Sequence, residues 1–181
     1  MHSLLRMFLI VGRKVRQKIG KLKNSFSGNK QYYSIQLAFL FPFTNSNAGL
    51  DFYDPNQHTE VSIERARRAY RPFPDTIPIV SNKIPLPSNS VDKIFLLLAA
   101  HEIRNHEERE TFFKECKRIL RAQGSIIVLE HLRDLPNFLV YTIGFFHFHS
   151  HRTWLNTFRT AGLTLRAEKK VTPFLLVLQY F

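Results

Sequence analysis

The sequence predicts an α/β domain built on a mostly parallel sheet, and three observations carry that prediction. Ile94 to Ala100 and Ser125 to Leu129 are short, continuously apolar runs, as expected of central strands covered on both faces. Between them, Phe112, Phe113, Cys116, Ile119 and Leu120 recur one, four, seven and eight positions after the first. That spacing puts a single apolar face on a helix running from Glu107 to Leu120. Gly124 follows as a helix stop, so the unit reads strand, helix, turn, strand.

The remaining elements follow in chain order. Residues 1–26 form a basic N-terminal arm, closed by the polar break Asn24-Ser-Phe-Ser-Gly-Asn29, and residues 27–181 form the domain. Tyr32 to Phe41 is apolar and predicts a helix that Pro42 stops. Asn45 to Gly49 is a turn, and Leu50-Asp-Phe-Tyr53 a short strand ending in acids. His58 to Tyr70 alternates acids and bases around Val61, Ile63, Ala66 and Ala69, the pattern of a surface helix that Pro72 and Pro74 end. Ile77 to Val80 is a brief strand. Beyond Pro136 an aromatic stretch to His149 precedes a helix from Arg152 to Ala161, stopped by Gly162, and two closing strands, Leu163 to Ala167 and Thr172 to Phe181.

Composition bounds the function classes. With 44% hydrophobic and 22% charged residues the chain is globular, and 17 phenylalanines predict an aromatic core or pocket. The net charge of +12 is concentrated at one end: residues 1–30 hold eight Lys or Arg and no acid. The domain itself is therefore only mildly basic, and no aromatics interleave with Arg65, Arg67, Arg68 and Arg71, which argues against a nucleic-acid stripe. The arm reads either as a solvated tail or as a peripheral membrane attachment through residues 1–23, where Leu4, Leu5, Phe8 and Val11 or Val15 share a side. No secretory pattern and no long apolar run occur, and the lone cysteine, Cys116, fits a reducing, cytoplasmic setting.

The stretch Ile84-Pro-Leu-Pro-Ser-Asn-Ser-Val-Asp92, the strand ending in Ala99-Ala-His101-Glu102, the helix ending in Arg118-Ile-Leu120 and the strand ending in Glu130-His131 together resemble a class I S-adenosylmethionine-dependent methyltransferase. The resemblance implies a Rossmann-like sheet, parallel except for an antiparallel C-terminal strand. It also implies roles. Asp51 would hold the ribose of S-adenosylmethionine, with Asp54 the nearby competitor. Ser81 and Asn82 would lie at the adenine, and Ala99 at the cofactor-to-substrate edge. His101 would take a proton from the acceptor and Glu102 would orient it. Glu130, His131, His147 and His149 would face the substrate, a small molecule or another acceptor.

Two departures from the family stand out, and one is that Val80-Ser-Asn82 carries no carboxylate where family members place an Asp toward the adenine. Of the Gly-rich first motif only Gly28 matches, and Lys18 to Asn24 is polar where a buried first strand belongs, so that edge of the site is either rebuilt in another way or lost. His147, His149 and His151 alternate as metal ligands do on an extended segment. No carboxylate or cysteine accompanies them, so no metal is assigned and the run reads as an aromatic, His-rich substrate lid. The resulting expectation is methyl transfer. The rivals are a methyltransferase-fold binding protein without catalysis, and an adaptor acting through the basic arm.

Overall fold

The computed structural model describes residues 32–35, 48–56, 67, 68 and 76–181. The expected basic arm, the boundary after residue 26, Gly28 and nearly all of the surface helix from His58 to Tyr70 lie outside these residues. The strands are β1 (Tyr32–Ile35), β2 (Ala48–Asp51), β3 (Ile77–Pro78), β4 (Val91–Leu97), β5 (Leu120–His131), β6 (Leu165–Thr172) and β7 (Leu175–Tyr180). They form one sheet in the order β3-β2-β1-β4-β5-β7-β6. Strands β1 to β5 are mutually parallel, and β7 runs antiparallel to both β5 and β6. The winding reverses between β1 and β4, so the carboxyl ends of these strands flank a crevice.

Leu96 pairs with Val128 and Leu97 with Leu129, which fulfils the expectation of two adjacent buried parallel strands. Helix α1 (His106–Ile119) links them. The Asn105 side chain caps it by accepting from the Glu108 amide. Glu107 and Glu108 in its first turn and Lys117 and Arg118 in its last complement the helix dipole. Its apolar face, Phe112, Phe113, Cys116 and Ile119, is fully buried. Helix α2 (Leu135–Tyr141) follows β5, and α3 (His151–Thr160) packs on α1.

The phenylalanine-rich composition has its place here. Phe113 meets Phe158 at 4.6 Å, and Phe158 stacks on Tyr180 at 3.9 Å. Each such ring contributes about 1.5–3 kcal/mol by burial. Successive β4 residues serve opposite faces: Ile94 and Leu96 join the main core, while Phe95 and Leu97 join a smaller cluster with Leu129 and Leu175. No helix among the described residues is long and apolar enough to cross a membrane.

Three expectations need correction. Tyr32 to Ile35 is a strand, not the start of a helix, and it fills the position of the first strand between β2 and β4. The first strand is therefore present, and three of its four residues, Tyr32, Tyr33 and Ile35, are of types that favour strands; four residues are too few for periodicity to tell strand from helix. Strand β4 ends at Leu97 because Leu98 turns into the left-handed region, φ 55°. Gly124 is not a helix stop. The chain is already extended at Leu120, and Gly124 lies in β5, where a bulge shifts the pairing between Val91–Leu120 and Lys93–Ser125. A Cβ there would stand 2.9 Å from the Arg121 carbonyl and 3.1 Å from that of Asp92, so only glycine fits this approach.

Candidate active site

Two strand ends build the centre of the crevice. Strand β4 passes through Leu98 into a 3-10 turn, Ala100–Glu102, and β5 ends at Glu130 and His131. Glu130 is fully buried. Its Oε1 accepts from the amides of Ala100 (2.9 Å) and His101 (3.4 Å), and its Oε2 accepts from His101 Nδ1 at 2.6 Å. The other ring nitrogen, His101 Nε2, stands 3.2 Å from Glu102 Oε1. His101 therefore lies between two carboxylates. Burial alone would lower its pKa, but the charge of Glu130 and the hydrogen bonds to Glu102 and Glu130 outweigh it and raise the pKa to about 10. Glu102 moves the opposite way. Burial opposes its ionisation, yet hydrogen bonds from His101 and His147 hold the carboxyl below the usual carboxylate range.

His147 completes this group from above. It ends a second 3-10 turn, Thr142–His147, and its Nε2 stands 3.2 Å from Glu102 Oε1. Its ring meets that of His101 edge-on at 5.1 Å. Arg104 Nη1 donates to the His147 carbonyl and lies 3.2 Å from Nδ1, a contact that places the ring proton on Nε2. Arg133 secures the same segment by donating to the carbonyls of Phe148 and Phe146, each at 2.8 Å. His101 Nε2, Glu102 Oε1 and His147 Nε2 all lie within 4.8 Å of one another, the one group of three such ligand atoms found among the described residues.

The other expected residues fall elsewhere. His131 is buried against Phe148, stacked at 4.9 Å, with Nδ1 2.9 Å from the Phe174 carbonyl and Nε2 3.2 Å from Tyr141 Oη. Burial lowers its pKa, so the ring is neutral. His149 Nε2 accepts from Arg109 Nη1 at 3.2 Å, and burial with the nearby Arg109 and Arg104 charges pushes its pKa down to about 3. His151 reaches Glu168 instead, at 2.8 Å. The alternating histidines thus go to three different partners, because a 3-10 turn and a helix start replace the extended segment expected of them.

At the end of β2, the buried Asp51 accepts from Tyr53 N at 3.0 Å and pairs with Arg67 Nη2 at 2.8 Å. Asp54 instead accepts from Asn56 N at 2.8 Å in a local turn. Ser81 donates to Glu108 at the start of α1, and Asn82 is exposed. Ala99 is fully buried. From Ser81 the chain runs along α1, where the Ile84 amide donates to Glu115 and Arg118 donates to the carbonyls of Ile84 and Leu86. A cavity of about 590 Å³ between Asn82–Leu86 and Glu115–Arg118 lies at that far end of α1, away from His101. Sequence reasoning missed Arg104, Arg109 and Arg133. Their signal was weak, since each is an arginine a few residues from a histidine or acid, and only the fold turns them onto carbonyls.

Comparisons with known proteins bear on the fold. A family model described as a methyltransferase domain matches residues 50–128. No curated protein matches the chain. Among solved structures, a Thermotoga maritima methyltransferase described as a possible histamine N-methyltransferase superposes with TM-score 0.61 at 13% identity, covering 99% of this chain and 95% of the other. A Leishmania major S-adenosylmethionine-dependent methyltransferase gives 0.61 at 15% identity over 98% of this chain and 75% of the other. An Aquifex aeolicus methyltransferase gives 0.59 at 13% identity, with 89% and 87% covered. The fold is the Rossmann-like fold of class I methyltransferases. The resemblance to S-adenosylmethionine-dependent methyltransferases holds in that fold and in the sequence of residues 50–128.

Proposed function

We propose that this chain transfers the methyl group of S-adenosylmethionine to an acceptor held at the His101–Glu102 edge of the crevice. The observation that carries the reading is the placement of two kinds of group on one sheet edge. A buried carboxylate, Asp51, ends β2, and a charged His–Glu cluster follows β4. The donor set fits the cofactor at its ribose, because a carboxylate accepts from vicinal hydroxyls. Ser81 and Asn82 would supply the hydrogen bonds on the adenine side.

When bound, the cofactor supplies a methyl group already activated by its sulfonium, so the protein's task is to bind and align. Asp51, steadied by Arg67 and the Tyr53 amide, positions the ribose. Glu102 stays ionised and accepts a hydrogen bond from an acceptor O–H or N–H. His101 keeps its proton at neutral pH and so acts as the cation that holds Glu102 in place, rather than as the base expected from its sequence position. The lid around His147 and Phe148 excludes water.

A second reading, binding without catalysis, rests on a specific observation. The sequence between β1 and β2, residues 36–47, contains no glycine, and Gly28 precedes β1 in sequence. Calorimetric titration of the chain with S-adenosylmethionine and S-adenosylhomocysteine separates the two. Transfer requires binding, and Asp51→Ala should weaken it at least about tenfold, the loss of one charge-assisted hydrogen bond. Asp54→Ala should leave it unchanged. A folded wild-type chain that binds neither ligand at millimolar concentration would sink the transfer reading and leave the binding protein.

A further inference from the structure

We propose that His101 Nε2, Glu102 Oε1 and His147 Nε2 form a binding site for a divalent first-row transition metal ion. Two imidazoles and one carboxylate on one side of an ion leave its remaining positions open, a donor set that suits zinc, iron(II) or cobalt(II). The three ligand atoms lie within 4.8 Å of one another, and both imidazole nitrogens stand 3.2 Å from the same carboxylate oxygen. Ligand atoms around zinc at about 2.1 Å are about 3.4 Å apart at a tetrahedral edge. The group is therefore at ligand spacing except for a closing shift, and His147, at the end of a 3-10 turn, is the member placed to make it. An ion here would take the place of the protons that now join the two rings to Glu102.

The surroundings support the site independently of the three ligands. A metal-binding imidazole ordinarily donates its other N–H to a carboxylate or carbonyl, which fixes the ring and strengthens the bond to the ion. His101 does so already, Nδ1 to Glu130 at 2.6 Å. Glu130 is itself held by the Ala100 amide, so the outer carboxylate is fixed by the backbone. Two carboxylates against one half-buried ring and one buried ring offer the negative charge a divalent cation needs in a site removed from water. Arg104 opposes an ion with its positive charge, and its bond to the His147 carbonyl can persist when its contact with Nδ1 gives way to a ring N–H. Open positions on such an ion would face the crevice and could take an acceptor oxygen or nitrogen, but the site itself does not depend on methyl transfer.

The test uses the tag-free, chelator-stripped full chain with no methyl donor present, so it can fail or succeed apart from the transfer reading. Cobalt(II) is added at mildly alkaline pH and its visible d–d absorption followed, with zinc as competitor. Cys116 is buried and contributes no thiolate signal. Cobalt should bind with the bands of an ordered low-coordinate site, and zinc should abolish them. His147→Ala and Glu102→Gln should each weaken binding at least about tenfold, and Glu130→Gln about ten- to a hundredfold through the ring it orients. His151→Ala should change nothing. The proposal is overturned if wild type gives no such bands, if binding survives unchanged in His147→Ala, or if His151→Ala loses as much. Should Glu102→Gln not fold, the His147→Ala result decides alone.

Discussion

Two histidines, thirty residues apart, lie beyond or at the ends of adjacent parallel strands, and their environments drive them in opposite directions. His101, beyond β4, lies between Glu130 and Glu102, and its pKa rises to about 10. His131, at the end of β5, meets a carbonyl, an amide oxygen, a phenol and the face of Phe148, and its pKa falls. Both rings are buried, so desolvation alone cannot separate them. The partner decides: carboxylates make one ring a cation at the crevice, and neutral acceptors with aromatic packing make the other a piece of core.

The largest effect expected on this contrast comes from Glu130→Ala. The change removes a fully buried carboxylate and leaves the imidazolium and two amides without their acceptor. Breaking a buried pair in this way costs about 3–5 kcal/mol, which urea denaturation would read directly. A loss below 1 kcal/mol would show that the His101 charge is not held by Glu130.

Next in size is the pH dependence of the wild-type chain. A histidine whose folded pKa is raised stabilises the fold fully below its ordinary value of 6.5, and that stability is lost as pH rises through about 10. The thermal midpoint should therefore decline across this window, and His101→Gln should flatten the decline. His131 has the opposite sign: its stability is present above 6.5 and is lost as pH falls. NMR titration of the ring protons should show His131 charging only below 6.5 while His101 stays charged throughout neutral pH. Coincident titration of the two rings would erase the comparison. The smallest expected effect is that of His151→Ala, whose exposed pair with Glu168 is worth at most about 1 kcal/mol.

The elements that local pattern determines were legible. The spacing of Phe112, Phe113, Cys116 and Ile119 marks α1, and the apolar runs mark β4 and β5, because burial on one or two faces writes its period into the sequence. Legibility failed where tertiary contacts decide. Tyr32–Ile35 is too short to carry a period, and Gly124 reads equally well as a cap or as a bulge. The site was half visible. His101, Glu102 and Glu130 could be placed at strand ends because parallel strands deliver their carboxyl ends to one edge. That His147 would reach Glu102, 45 positions away, while His149 and His151 turn to Arg109 and Glu168, depends on a 3-10 turn no spacing announces.

The bond from the Ala100 amide to Glu130 has a consequence for motion. Ala100 and His101 lie outside every strand, where backbone amides ordinarily exchange with solvent through small local openings. Here their acceptor is a buried side chain on the neighbouring strand, so freeing these protons means parting β4 from β5. In deuterium exchange the two amides should keep pace with the slow central strands, while Arg104 and Asn105, a few residues further on, exchange fast. This edge of the crevice would then open only when the sheet itself does.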